Sequence, residues 1–346
     1  MNKFSSNIIT SEKELLDIMT EPNSLLIDSL KKLSGEILLL GAGGKMGLSL
    51  ALLIKRAANM AKKKISIKAA SRFSDNNVAE SFLSNGIEIV KCDLTDEAQL
   101  HSLPKYENII YMVGQKFGSS SNQPFTWGIN TYLIGRVSEI FKNSNIVLFS
   151  TGNVYPFSDI DSKGPDEKSS TGPIGEYAQS ALGRERVFEY MCQKNRTSGT
   201  IFRLNYAIDL RYGVLYDLAE KVYNQIDIPL NMGYFNCIWQ GDANLIAALS
   251  LSEVSSPPSI INVTGKDIHS VRETAEWFGE FFNKKVSFSG KEEKSALISN
   301  ADLSYKKFIF ERVSFEQMLE WTAYWIKSGN PSLNKPTHFE ERAGKF

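Results

Sequence analysis

A doubly wound α/β fold, with helices on both faces of a parallel sheet, is what this sequence predicts, and three observations carry the prediction. Residues 35–47, Gly-Glu-Ile-Leu-Leu-Leu-Gly-Ala-Gly-Gly-Lys-Met-Gly, run a short apolar strand into a glycine cluster, and a helix-like stretch follows from Leu48 to about Met60. Short β-rich runs then alternate with segments long enough for crossover helices. The 346 residues are 42% hydrophobic, which suffices for one large domain or two interlocked ones.

In chain order, residues 1–34 carry helical-period segments, Leu15, Leu16, Ile18, Met19 and then Leu25, Leu26, Leu30, Leu33, separated by Glu21-Pro22-Asn23. They predict two short helices packed on the outside. The strand and glycine loop come next. Gly41 suits a tight turn, Gly44 lets backbone approach a pyrophosphate, and Gly47 lets the helix pack on the strand, with free N–H groups at the helix start for the anion. Lys62-Lys63-Lys64 reads as a solvated helix end. Further strands are expected at Ile65–Ala70, Gly86–Lys91, Asn108–Val113, Asn145–Phe149 and Thr200–Leu204. The aperiodic segment 156–175, rich in Ser, Gly, Pro and Asp, is expected at the surface near the site.

Composition narrows the function. With 39 basic and 39 acidic side chains the net charge is zero, which argues against nucleic acid as a partner. Cys92, Cys192 and Cys237 are scattered and odd in number, as are His101, His269 and His338, so no disulfide framework or metal site is indicated and a reducing cytoplasm is the natural setting. The apolar run Ile37–Ile54 contains Lys45 and four glycines, and is explained as strand, loop and buried helix rather than as a membrane span. Glu12, Lys13, Glu14 and Asp17 interrupt any signal-peptide core.

From about 35 to 328 the chain resembles the extended short-chain dehydrogenase/reductase family, the NAD(P)-dependent sugar epimerase, dehydratase and reductase group. The resemblance rests on an ordered set: Gly41-x-x-Gly44-x-x-Gly47; Cys92-Asp93-Leu94-Thr95-Asp96; Asn130; Ser150-Thr151-Gly152-Asn153-Val154-Tyr155; Tyr177; Gln240-Gly241-Asp242; and Ile261-Asn262-Val263. It implies a Rossmann-type doubly wound parallel sheet with a smaller C-terminal substrate-binding region. The implied division is a helical extension at 1–34, a dinucleotide-binding domain at 35–205 and 236–262, and a substrate-binding region at 206–235 and 263–346. It also implies a homodimer through helices that include 130–142 and 177–194.

The resemblance assigns Gly41, Gly44, Lys45, Met46, Gly47, Ser71, Arg72, Asp93, Leu94 and Gly114 to the cofactor, with Asp93 on the adenine. At the end of the second strand the sequence reads Ala69-Ala70-Ser71-Arg72, with no acid until Asp75. A guanidinium and a hydroxyl there suit a 2′-phosphate, with Lys45 adding charge, so NADP is favoured over NAD. Asn130 reads equally as the holder of a water or as an N-cap.

In the family a Ser or Thr orients the substrate oxygen and a Tyr exchanges the proton; Thr151 and Tyr177 fill these places. A phenol with a reference pKa of about 10 needs positive charge nearby to act as a base at neutral pH; in the family a Lys four residues after the Tyr provides it, yet position 181 is Ala. Tyr190-Met-Cys-Gln-Lys194 cannot replace it, lying about 220° round the helix and nearly 20 Å along. Arg184 and Lys116 are the candidates to supply the charge. Gly152-Asn153 stand where nucleotide-sugar dehydratases carry an acidic pair, which disfavours a 4,6-dehydratase. Gly-Gly-Lys-Met-Gly also looks like the loop of dihydrodipicolinate reductases, but the Thr–Tyr set does not fit that family. The expected function is hydride transfer at a hydroxyl or ketone of a sugar, sugar acid or nucleotide sugar, as oxidoreductase or epimerase. The rival, suggested by Ala181, is a catalytically inactive NADP-binding regulatory protein. Trp321 and Trp325 read as packing, and 335–339 resembles nothing catalytic.

Overall fold

The computed structural model describes residues 8–346, so the first seven residues of the expected N-terminal extension lie outside the described residues. Seven parallel strands form the central sheet: β1 (Ile37–Leu40), β2 (Ile67–Ser71), β3 (Glu88–Lys91), β4 (Asn108–Tyr111), β5 (Asn145–Thr151), β6 (Gly199–Leu204) and β7 (Ser259–Val263). Their spatial order is β3-β2-β1-β4-β5-β6-β7. The first six answer the expected runs. β7 is the strand that the sequence reading passes over: it is an edge strand, broken in hydrophobicity by Asn262, whose buried amide donates to the carbonyls of Pro165 and Asn300.

The helices up to the middle of the sheet are α1 (Glu12–Met19), α2 (Ser24–Lys32), α3 (Gly47–Met60), α4 (Asn76–Ser84), α5 (Glu97–Ser102), α6 (Gln123–Trp127), α7 (Leu133–Ile140) and α8 (Gly175–Asn195). After β6 come α9 (Val214–Tyr223), α10 (Gln240–Leu249), α11 (Val271–Phe282), α12 (Asp302–Lys307) and α13 (Phe315–Lys327). Successive side chains of a strand point to opposite faces. Ile37 and Leu39 therefore join Ile110, Val147 and Phe202 in one core under α2, α3 and α10. Leu38 and Leu40 join Ile109, Ile146 and Leu148 in the other, under α7 and α8. Because both faces are covered, β1 and β4 are buried at every position, the pattern of an all-parallel sheet.

A third core belongs to the C-terminal lobe and gathers α9, α11 and α13 around Val214, Leu218, Phe278 and Trp325. Trp321 packs edge-on against Trp239, and the indole of Trp325 donates to the Pro331 carbonyl. The two N-terminal helices do not act alike. Leu26 and Leu30 of α2 enter the sheet core, whereas Leu15 and Met19 of α1 enter the lobe core. The extension thus stitches the two cores together.

Candidate active site

Strand order reverses between β1 and β4, and an open α/β sheet forms its ligand crevice at such a point, beyond the strands' carboxyl ends. A cavity of about 370 Å³ lies there. Gly41, Gly43 and Gly44 line it after β1, Ser71 and Arg72 after β2, Cys92 to Thr95 after β3, and Met112 to Gln115 after β4. The glycines have separate reasons. Gly41 has φ +81°, and a Cβ on it would meet the Val113 nitrogen at 2.8 Å. A Cβ on Gly47 would lie 1.9 Å from the Ala42 carbonyl oxygen, so this glycine lets α3 start against the strand. A Cβ on Gly44 would meet nothing closer than 3.7 Å; its absence keeps the cavity open. No side chain caps α3, so its first-turn N–H groups are left for an anion. A glycine cradle, an uncapped helix and an open cavity fit a dinucleotide.

At the far end of the cavity the Asp93 carboxylate accepts from the backbone N–H and hydroxyl of Thr95, which hold its pKa below the ordinary value. Leu94 and Gly114 line the wall. Met46 opens α3 with its backbone and sends its side chain into the sheet core. Lys45 does not line this cavity. Its ammonium turns away, to 3.1 Å from the centroid of the Tyr212 ring, and the charges acting on it are those of Lys116, Lys335, Asp217 and Asp209. A 2′-phosphate role for Lys45 therefore has no geometric support, and Arg72 stands without it.

Tyr177 sits in the first turn of α8, half-buried. Of the two cations weighed as substitutes for the missing lysine, they take different places. Arg184 is buried and committed: its guanidinium donates to the Phe149 carbonyl at 2.8 Å, the Asn130 carbonyl at 3.1 Å and Asn130 Oδ1 at 3.0 Å. It lies directly beneath Gly114 and braces the loop after β4. Lys116 places Nζ 6.0 Å from the Tyr177 ring centroid. Asn130 is neither an N-cap nor free to hold a water. It lies in a π-helical turn, Gly128–Tyr132, and bonds the Gln115 N–H, the Gln115 carbonyl, the Ser180 hydroxyl and Arg184. The Thr151 hydroxyl caps the 3-10 turn Gly152–Val154, accepting from the Asn153 N–H and donating to Asn153 Oδ1.

Beneath the end of β5 lies a fully buried ion pair. Arg203 Nη2 donates to Glu185 Oε2 at 2.6 Å and Nε to Oε1 at 2.9 Å; Ser150 Oγ donates to the same carboxylate, and Arg203 Nη1 to the Tyr155 hydroxyl. Sequence reading also missed the C-terminal segment. The Thr337 carbonyl accepts from Lys116 Nζ at 3.1 Å, and the Phe346 ring meets Tyr177 edge-on at 5.7 Å. Gly344 passes so close to the start of α8 that a Cβ there would lie 2.7 Å from Gly175 Cα.

Comparisons place these features. No curated protein is significantly similar in sequence to this chain. Solved structures are similar in fold: the UDP-glucose 4-epimerase of Thermotoga maritima with UDP-glucose (16% identity, TM-score 0.68, covering 85% of this chain and 99% of that one); the UDP-glucuronic acid 4-epimerase of Bacillus cereus with NAD (14%, 0.69, 84% and 96%); and the dTDP-glucose 4,6-dehydratase of Bacillus anthracis with NAD (14%, 0.69, 85% and 97%). A model of the NAD dependent epimerase/dehydratase family matches residues 37–208, the span from β1 to just beyond β6 that holds the glycine loop, Thr151 and Tyr177. Through that span the chain belongs to the NAD dependent epimerase/dehydratase family.

Proposed function

We propose that the protein is an NAD(P)-dependent oxidoreductase or epimerase acting on a hydroxyl or ketone of a sugar-type substrate, with NADP preferred. The observation that carries this reading is the approach of the Lys116 ammonium to Tyr177, on the loop that continues from the Gly114–Gln115 wall of the cavity. Gly41, Gly44, Gly47 and the start of α3 would hold the pyrophosphate, Asp93 and Leu94 the adenine, and Ser71 with Arg72 a 2′-phosphate. The bound nicotinamide supplies a two-electron hydride acceptor or donor. Complexes of the Bacillus cereus and Bacillus anthracis proteins with NAD support a nicotinamide cofactor.

The chain's own residues handle the proton. A cation beside a phenol is a usual means of readying it for proton exchange, and Lys116 Nζ lies 6.0 Å from the Tyr177 ring centroid. Lys116 does for Tyr177 from the loop after β4 what a lysine one helical turn along would do from α8. The Tyr177 oxygen then takes the proton of a substrate hydroxyl, or returns one to a ketone. Thr151 exchanges its Asn153 contact for the substrate oxygen and fixes its position. Gly152 and Asn153 offer no acid–base pair for elimination, so the reading stops short of a dehydratase. A cytoplasmic homodimer through α7 and α8 belongs to the same reading.

Tyr177→Phe tests it: turnover should fall by about 10²-fold or more with cofactor affinity nearly unchanged. Full activity in that variant would refute the proton-transfer role. A second reading is favoured by one observation, the burial of Ala181 where the family's lysine belongs. If NADP binds tightly and no sugar-type substrate turns over, the protein is a binding module that has lost catalysis.

A further inference from the structure

We propose that residues 340–346 form a strap over the reactive end of the site, and that Phe346 and the nicotinamide end of the cofactor compete for the same ground beside Tyr177. The adenosine half binds with the strap down; the nicotinamide half and a substrate enter only when the strap lifts. This rests on the reading of the cavity as a dinucleotide site and adds to it a gate that the chain itself supplies.

The first support is the division of space. The cavity of about 370 Å³ is walled by the glycine loop, Ser71, Arg72, Asp93 and the stretch Met112–Gln115, and among the described residues none beyond Leu133 lines it. It has room for the adenosine and the pyrophosphate, but neither Thr151 nor Tyr177 borders it. The space that Asn153, Tyr155, Ile174 and Phe346 line is only about 10 Å³, enough for one water. Phe346 fills the ground between. Its ring meets Tyr177 edge-on at 5.7 Å and lies under the Lys116 ammonium at 4.4 Å, and its backbone oxygen accepts from the Ser120 N–H and the Ser119 hydroxyl.

The second support is uneven fastening, a firm hinge followed by a weak latch. Thr337 and Phe339 are buried; Asp217 accepts from both the N–H and the hydroxyl of Thr337, and Phe339 belongs to the lobe core. Beyond them the contacts are few and partly exposed. Arg342 donates to the carbonyls of Asn231 and Ser295 and to the Ser295 hydroxyl, Asn231 donates to the Glu340 carbonyl, and Glu340 lies 3.6 Å from Lys221. Ala343 and Lys345 face solvent, and Phe346 is the one large apolar side chain of 340–346. A segment with a single apolar anchor and solvent-accessible hydrogen bonds opens at small cost.

The experiment is calorimetric titration of the full chain with adenosine 2′,5′-bisphosphate, which is the adenosine half alone, and with NADP. The proteins compared are the unmodified chain, Phe346→Ala, and Gly344→Val, whose new Cβ would lie 2.7 Å from Gly175 Cα and force the strap away. Apparent affinity is intrinsic affinity multiplied by the open fraction, so a strap that is down about nine-tenths of the time or more holds NADP back about tenfold or more. NADP should therefore bind about tenfold or more tighter in both variants, with the bisphosphate unchanged. Hydrogen exchange supplies a second readout: saturating NADP, but not the bisphosphate, should speed exchange of the 340–346 amides in the unmodified protein. Equal gains for the two ligands, no gain for NADP, or amides that stay protected under NADP overturn the proposal while the bisphosphate still binds. If neither ligand binds any of the three proteins, the dinucleotide reading fails and the gate fails with it.

Discussion

Glu185→Gln should destabilise the protein far more than its one-atom change suggests. Glu185 and Arg203 are almost wholly buried, 0% and 2% exposed. The carboxylate accepts from Arg203 through Nε and Nη2 and from Ser150 Oγ. Burial alone would discourage the guanidinium's charge, but the hydrogen bond and charge of Glu185 outweigh it and push the Arg203 pKa up. A glutamine can keep its oxygen towards Nε, but its NH₂ then faces Nη2 across a 2.6 Å gap, donor against donor. An uncompensated buried charge of this kind costs about 3–5 kcal/mol, or roughly 4–7 °C in Tm for a chain of this length. Urea denaturation followed by circular dichroism measures the loss. The double substitution Glu185→Leu with Arg203→Met should recover most of it, because apolar side chains leave no orphan charge. A loss below about 1 kcal/mol for the single variant, or a double variant worse than the sum of the two singles, would refute the argument.

Arg72→Ala should remove most of a preference for NADPH over NADH worth about 1–3 kcal/mol, and equal calorimetric affinities in the unmodified protein would sink the 2′-phosphate assignment. Gly44→Val should abolish cofactor binding while leaving Tm within a degree or two, since the new side chain projects into the open cavity rather than into packed atoms; a variant that still binds NADP normally would remove the glycine cradle from the account. Asp242 supplies a pH test. Burial pushes its pKa up to about 7; the folded form then holds a proton that the unfolded chain, titrating near 3.8, releases. This contribution is fully present below pH 4 and is lost as pH rises through 7, by up to about 4 kcal/mol. In Asp242→Asn that downward slope should vanish, and parallel stability curves for the two proteins between pH 4 and 8 would contradict it.

The glycine loop was legible because its demands are local: a turn at φ +81°, an approach to 1.9 Å of a carbonyl and an open cradle each require a missing Cβ within seven residues of sequence. Strands β1 to β6 were legible for a related reason, since burial on both faces leaves continuous apolar runs. The direction of the Lys45 side chain was not, because Tyr212, 167 positions away, decides it. Asn130 read as a cap or the holder of a water because nothing in Gly-Ile-Asn-Thr-Tyr marks a π-turn; its partners come from two distant segments, Gln115 from the loop after β4 and Ser180 and Arg184 from α8. The Lys116–Thr337 bond joins residues 221 apart, and no periodicity in 335–346 points to Tyr177.

The missing lysine is best understood from its replacement. Ala181 is wholly buried in a small cluster with Val154, Tyr155 and Leu182, so the face of α8 below Tyr177 is closed by the turn that follows β5. A lysine at 181 would add a charge at a wholly buried position whose neighbour Tyr155 already accepts a hydrogen bond from the Arg203 guanidinium. Like charges that close in an apolar setting cost several kcal/mol. Ala181 and the buried Glu185–Arg203 pair thus share Tyr155 as a neighbour. This chain keeps the ion pair, and on the loop after β4 Lys116 lies 6.0 Å from the Tyr177 ring centroid with the Thr337 carbonyl accepting from its ammonium.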